Sequence, residues 1–312
     1  MRAAVRSLEK GQNILNAPSV KALPKESRPE LVHVPDMTAP GAFDEVMQGV
    51  TYVIHVASPL GTEVKEGDDF EKALVTPAVV GTRNIITAAQ KAGSVKRVVI
   101  TSSIVAVISF SEMMSPNNEK VYTASSRTAP ISDYTNPFQA YADGKVRALH
   151  ETEEYVKNEK PQFDVVHILP SFVLGPDELA TTPEAAIRGS NAVVLGPLVT
   201  GQNRGPTPGG VVHVGDVATM HIKALDSNKV PGNQAYIANA DGHNGIKWED
   251  ISAIAEKVCK EEVESGKFKT KDVFSTLQIK IDSGNVEEVF DFKFRSFEDQ
   301  VTDVLKWYVS LT

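Results

Sequence analysis

Four short runs rich in β-branched residues constrain this chain more than any other feature: LVHV at 31–34, TYVIHVA at 51–57, KRVVITS at 96–102 and FDVVHILP at 163–170. Between them lie stretches with helical character, FDEVMQG, DFEKALVTPAVVGTRNIITAAQKAG and QAYADGKVRALHETEEYVKN, the second ending at Gly93 as a helix C-cap would. Strands that read as nearly continuous apolar runs are buried on both faces. Helices alternating with them supply right-handed crossovers between parallel neighbours. The expected fold is therefore α/β, a doubly wound parallel sheet.

After Pro170 the sequence changes character, and residues 174–210 are dense in Gly, Pro and Thr, as suits loops that cover a cleft. VVHVGDVATMHIKAL at 211–225 reads as a return to the sheet. KWEDISAIAEKVCKE and SFEDQVTDVLKWYVSL read as amphipathic helices of a smaller C-terminal lobe, with Ser296 and Asp299 spaced as in a capping box. A chain of 312 residues can bury a core without disulfides or metal. Its 40 acidic and 32 basic residues give a net charge of −8, which argues against a nucleic-acid footprint and against an anionic membrane, and leaves a small molecule as the expected partner. The single Cys259 excludes an internal disulfide framework and fits a reducing compartment. No apolar run approaches the roughly 20 residues of a membrane span, and MRAAVRSLEKG has no signal-peptide core, so a cytoplasmic location is expected.

The sharpest chemical signal is YADGK, where Tyr141 and Lys145 lie four apart in a helical pattern. One turn of helix puts both on one face, with Cβ atoms about 6 Å apart. A neighbouring ammonium favours the phenolate and is expected to draw the phenol down from its usual pKa of about 10. Such a phenol can hand a proton to a developing alkoxide. RVVITSS is a buried strand ending in two hydroxyls, and ligands bind at the carboxyl ends of strands in open α/β sheets. Ser102 or Ser103 is thereby placed to polarise a carbonyl oxygen; taken alone, both also suit a turn cap. His55 reads as a core residue of its strand, and the seven histidines and one cysteine show no metal-site spacing, so no metal is expected.

RVVITSS, AYADGK and HILPSFVLGP, together with VIHVASP and PAVVGTRNIITAA, resemble in order and spacing the extended short-chain dehydrogenase/reductases, within the NAD-dependent epimerase/dehydratase superfamily. The resemblance is closest to the dihydroflavonol-reductase-like branch, and there to fungal and yeast NADPH-dependent aldehyde and ketone reductases. It implies that residues 1–170 form a dinucleotide-binding Rossmann domain, rejoined by a strand within 211–240, and that 171–312 form mainly a substrate-binding lobe. Ser103 stands at the place of the carbonyl-binding residue, with Ser102 its alternative; Tyr141 matches the proton donor and Lys145 the lysine that holds the nicotinamide ribose. The cofactor implied is NADPH/NADP+. Arg6 and Lys10 fall where the adenosine 2′-phosphate is gripped, a position with no acid to bond a free 2′-hydroxyl. Asp36 and Met37 resemble the pair beside the adenine, although Asp36 also suits a helix N-cap before GAFDEV. Ala57 and Ser58 lie at the pyrophosphate and ribose, and Val173 resembles a backbone contact to the cofactor.

MRAAVR occupies the place of the second strand of that fold. The family begins with a strand, a GxxGxxG turn and a helix whose N-terminus receives the pyrophosphate, and no such glycine spacing occurs in this sequence. The expectation is a chain shortened by roughly 25 to 30 residues, about a strand, turn and helix. In the strand order 3-2-1-4-5-6 this removes the middle of the sheet and leaves two edges unpaired, or pairs them directly. Weak NADPH binding and little turnover follow. The function implied is reduction of an aldehyde or ketone to an alcohol by hydride transfer, in metabolite or secondary-metabolite biosynthesis. The alternatives are an NAD-dependent sugar-nucleotide epimerase or dehydratase, disfavoured by IVAVIS after the serines and by Arg6, and a non-catalytic shell. The substrate pocket is expected between residues 111–139 and the segment after Gly175, in a monomer or homodimer.

Overall fold

The computed structural model describes residues 1–61, 64–65, 67–116 and 118–312. The first half runs β1 (Arg2–Val5), α1 (Leu8–Asn16), β2 (Glu30–His33), β3 (Tyr52–His55), α2 (Thr76–Ala92), β4 (Arg97–Thr101), α3 (Pro137–Glu159) and β5 (Asp164–Pro170). The second half contributes β6 (Phe172–Leu174), α4 (Ala192–Thr200), β7 (Val211–His213), α5 (Val214–Lys223), β8 (Gln234–Ala238), α6 (Asp250–Val258) and α7 (Phe297–Ser310), with shorter elements between.

The main sheet has the order β8-β5-β4-β3, and every pair in it is parallel. Val98, Val99 and Ile100 of β4 align with Val53, Ile54 and His55 of β3 on one side, and with Val165, Val166 and His167 of β5 on the other. Alternate residues therefore face two helix layers. Val98, Ile100 and Val165 pack with Ile85, Ile86 and Ala89 of α2, while Val99, Val166 and Ile168 pack with Met220 and Ala224 at α5. Each such side chain taken fully from water contributes about 1.5–3 kcal/mol. This is a doubly wound α/β fold. A separate apolar cluster around Trp248, Leu195, Leu198, Val301 and Leu305 joins α4, α6 and α7, and Ser296 caps α7 by accepting from the Asp299 N–H at 3.2 Å.

Two local expectations are corrected. Residues 43–49 form a run of turns instead of a helix. Gly41 and Gly49 bracket the run at φ of 73° and 71°, and its backbone bonds mix four-residue (Met47 to Phe43) and three-residue (Gln48 to Glu45) spacings, so no α-helix propagates. The segment 211–225 does not return to the main sheet: β7 pairs with β6, the chain then turns into α5, and β8 is the strand that takes the place beside β5.

β1 pairs with β2 alone, as a two-stranded parallel sheet, and has no bond to β3. Between the two edges lies a cavity of about 780 Å³, lined by Arg2 to Arg6 on one side and Tyr52 to Ala57 on the other. Of the two outcomes expected, edges left unpaired or paired directly, the structure shows β1 and β3 unpaired with each other. Tyr52 and Ile54 of β3, and Val56 just beyond its end, stay 46, 37 and 63% exposed, so the face of β3 opposite α2 is uncovered.

The amino ends of β4 and β5 are tied by a buried charge. Arg97, 1% exposed, forks onto Asp164 through Nε at 2.5 Å and Nη2 at 2.8 Å. Its Nη1 donates to the carbonyls of Ala224 and Val230 at 2.6 and 2.8 Å, so one guanidinium links β4, β5 and the segment after α5. Arg97→Met leaves a carboxylate and two carbonyls without their donor, and is expected to lower unfolding free energy by about 3 kcal/mol. Urea denaturation measures this directly; an unchanged midpoint would contradict the assignment.

Candidate active site

β4 delivers its carboxyl end to the site. The Ser102 N–H donates to the Ile168 carbonyl at 2.8 Å, extending the β4–β5 pairing by one residue. Ser103 then turns the chain into a single 3₁₀ turn, Ile104–Ala106, accepting from the Val105 N–H at 3.4 Å. Its hydroxyl hydrogen lies toward the Pro170 carbonyl at 3.5 Å, long for a hydroxyl donor. Ser103 thus caps a turn and also retains a donor for the cleft.

α3 begins at Asn136, whose side chain accepts from the Gln139 N–H at 3.1 Å, with Pro137 in the first turn. Gly144 lets this helix press against its neighbour: a Cβ there would sit 3.2 Å from Ala78 Cβ and 3.4 Å from the Leu74 carbonyl. That close crossing carries Tyr141 and Lys145 to the end of β4. The Lys145 ammonium donates to the Thr101 carbonyl at 3.0 Å and stands 5.9 Å from the centroid of the Tyr141 ring. Tyr141, Lys145 and Ser103 are thereby brought together.

The electrostatics differ in one respect from the expectation. Burial pushes the Tyr141 phenol up from its usual value, and the nearby Ser103 hydroxyl works against that rise. The expected lowering by Lys145 is not what this geometry gives, because the ammonium is aimed at the Thr101 carbonyl and desolvation dominates. A phenol held protonated is suited to donate. Burial also lowers Lys145 to about 8. His55 is lowered to about 4, by burial and then by the charge of Lys145, and His167 to about 3, by burial and then by Arg127.

The large cavity between β1 and β3 gathers Arg6, Asp36, Met37, Ala57 and Ser58 along its walls. Lys10 lies exposed in the first turn of α1, its N–H donating to the capping Ser7, and is not brought to that cavity. Val173 is also placed elsewhere. It pairs with Val212 and lines a second cavity of about 440 Å³ with Gly175, Arg188 and Asn191. Asp36 caps no helix; its carboxylate accepts from the Thr38 N–H at 2.8 Å and hydroxyl at 2.6 Å, bonds that hold its pKa below the usual value. No group of three or more His, Cys, Asp or Glu able to hold a metal occurs among the described residues, and none of their helices is long and apolar enough to cross a membrane.

One further residue escaped sequence reasoning. Asp143, inside YADGK and 2% exposed, accepts from the Ile131 N–H at 2.8 Å, the Tyr134 hydroxyl at 2.7 Å and Arg147 Nε at 2.5 Å. It pins the loop ahead of α3 to the helix that carries Tyr141. An acid followed four residues later by arginine was the available signal, and it reads equally as a surface pair. Of residues 111–139, expected to flank the substrate, Asn117 lies outside the described residues.

Comparison with known proteins gives the chain's family and fold. A family described as the 3-beta hydroxysteroid dehydrogenase/isomerase family matches residues 4–249. A ketoreductase from Cercospora beticola is 35% identical over 317 aligned positions, covering 100% of this chain and 88% of the relative. An NAD-dependent epimerase/dehydratase from Alternaria alternata is 40% identical over 241 positions, covering 73% of this chain and 66% of the relative. Among solved structures, a Candida albicans protein in complex with NADPH superposes with a TM-score of 0.78 at 25% identity, covering 99% of this chain and 90% of that one.

The buried histidines give the site a pH signature. An unfolded histidine takes up its proton near pH 6.5, whereas folded His55 resists until about 4. Between those values the unfolded chain binds more protons, so stability falls as pH falls. At pH 4.5 His55 alone is expected to remove about 2–3 kcal/mol relative to pH 7. Urea midpoints at the two pH values should therefore differ less in His55→Leu than in the unaltered chain, and equal differences would show that His55 is not buried neutral.

Proposed function

The chain belongs to the 3-beta hydroxysteroid dehydrogenase/isomerase family, and we propose that it is an NADPH-dependent reductase that converts an aldehyde or ketone to an alcohol. The observation that carries this reading is the meeting of Tyr141, Ser103 and Lys145 where β4 ends. In the proposed reaction the Ser103 hydroxyl donates to the carbonyl oxygen and draws electron density from its carbon. Bound NADPH supplies the hydride. Tyr141 passes its proton to the oxygen as the C–H bond forms, leaving a phenolate that takes a proton back from solvent.

The residues around the large cavity fit the cofactor at both ends. Arg6, exposed at its rim, offers a planar fork to a 2′-phosphate. Asp36 and Met37 would flank the adenine, Ala57 and Ser58 the ribose and pyrophosphate, and Lys145 the nicotinamide ribose. Val173 enters only as a backbone contact. We assign residues 1–170 with the β8 region to cofactor binding and most of 171–312 to the substrate. A cytoplasmic setting, where NADPH is plentiful, belongs to the same reading, as does a small carbonyl compound for the substrate. The Cercospora ketoreductase supports carbonyl reduction, and the Alternaria relative keeps a second reading in play, an NAD-dependent epimerase or dehydratase.

With saturating NADPH and a panel of aldehydes and ketones, cofactor consumption should require the carbonyl compound and fall by roughly 10²- to 10⁴-fold in Tyr141→Phe. Arg6→Ala should weaken NADPH binding about tenfold or more while leaving NADH unaffected. Equal rates for Tyr141→Phe would overturn the reductase reading, and epimerisation of a sugar nucleotide with NAD and no net consumption would favour the second.

A further inference from the structure

Two buried histidines of the main sheet have no part in the reaction proposed above. His55 and His167 flank Ile100 in one cross-strand row, since His55 is in register with Ile100 and Ile100 with His167. The row faces the helix layer of α2 and α3. In that layer lies a small cavity of about 10 Å³, whose polar walls include both histidines, Ser58, Thr82, Thr101, Ser102 and Lys145.

The volume and the polarity point to the same occupant. A cavity needs about one water-sized sphere, roughly 10–15 Å³, to hold a water molecule, and the water needs two to four polar partners. This cavity stands at that lower limit, with room for one and no more. His167 Nε2 is fully buried and has no hydrogen-bond partner among the described residues. The ammonium of Lys145 has three N–H donors, and among the described residues only the Thr101 carbonyl takes one. His55 is better placed, with Nε2 3.5 Å from the Thr82 hydroxyl, which itself donates to the Ala78 carbonyl at 2.8 Å. An unpartnered imidazole nitrogen and an ammonium with donors to spare thus border one polar void, a combination that dry packing leaves costly.

We propose that this cavity binds a single water molecule that accepts from the Lys145 ammonium and donates to His167 Nε2, making His167 a positioning residue for Lys145. The imidazole then carries its proton on Nδ1 and offers a lone pair at Nε2. Its low pKa, set by burial, keeps it neutral near pH 7 and spares the site a second positive charge. The water ties α3 to β5, as the Thr101 carbonyl ties the same ammonium to β4. These contacts stand on packing alone and hold whether or not carbonyl reduction is the reaction.

A high-resolution crystal structure of the unliganded chain should show one ordered water about 3 Å from both His167 Nε2 and Lys145 Nζ. His167→Gln, whose side-chain carbonyl still accepts, should retain it. His167→Leu should lose it and release the ammonium from the Thr101 carbonyl. Water relaxation dispersion in solution should count one long-lived internal water fewer in His167→Leu than in the unaltered chain. A dry cavity in the unaltered chain, or an unmoved Lys145 with its water still present in His167→Leu, would overturn the proposal. Should His167→Leu fail to fold, the unaltered chain and His167→Gln decide the matter.

Discussion

The hydrogen bond from the Lys145 ammonium to the Thr101 carbonyl holds the site together. A buried ammonium is costly unless it is hydrogen-bonded, and this one is anchored where β4 stops pairing and its last carbonyl becomes available. Because Lys145 is fixed there, the helix that carries it is fixed too, and Tyr141 one turn earlier is set beside Ser103. The close α2–α3 crossing rests on small residues, Gly144 against Ala78, since a Cβ at Gly144 would come within 3.2 Å of Ala78 Cβ. Asp143 holds the preceding loop against the same helix.

The sheet beneath is held unevenly. At the amino ends of β4 and β5, Arg97 unites both strands and the chain after α5 through four hydrogen bonds. By contrast, β3 presents an unpaired edge and an exposed apolar face toward the cavity that separates it from β1. The site sits at the carboxyl end of β4, the strand that Arg97 begins, whose residues up to Ile100 are buried and flanked on both sides. The proposed proton-donating machinery therefore rests on the well-packed part of the molecule, while the proposed cofactor contacts of Arg6, Asp36 and Met37 rest on the separate two-stranded part and the turns that follow it.

Much of this was legible in the sequence. The four β-branched runs marked the strands, although only β4 and β5 are buried on both faces while β2 and β3 keep exposed residues, and YADGK placed two functional side chains on one helical face because its spacing matches the turn. Ser103 was resolved from Ser102 only through a family resemblance, since strand periodicity alone does not say where the chain leaves the sheet. Residues 43–49 misled because an apolar pattern closed by glycines suits turns as well as a helix. The segment at 211–225 misled because a valine-rich start fits β7 and says nothing about which sheet it joins. Asp143 and the His55–Ile100–His167 row were out of reach for a common reason: their roles are set by registers and loop returns that bring together residues remote in sequence. The phenol was misjudged because a charge four residues away is read easily from spacing, whereas desolvation depends on everything packed around it.

The most direct test is the ionisation of Lys145 in the unliganded chain, followed by nitrogen-15 NMR of the lysine side chains with Lys145→Met to assign the signal. An ammonium buried against the end of β4 should lose its proton near pH 8, well below the roughly 10.4 of a free lysine. A midpoint above 10 would mean that the amine lies in water, and the placement of Tyr141 beside Ser103 would lose its foundation.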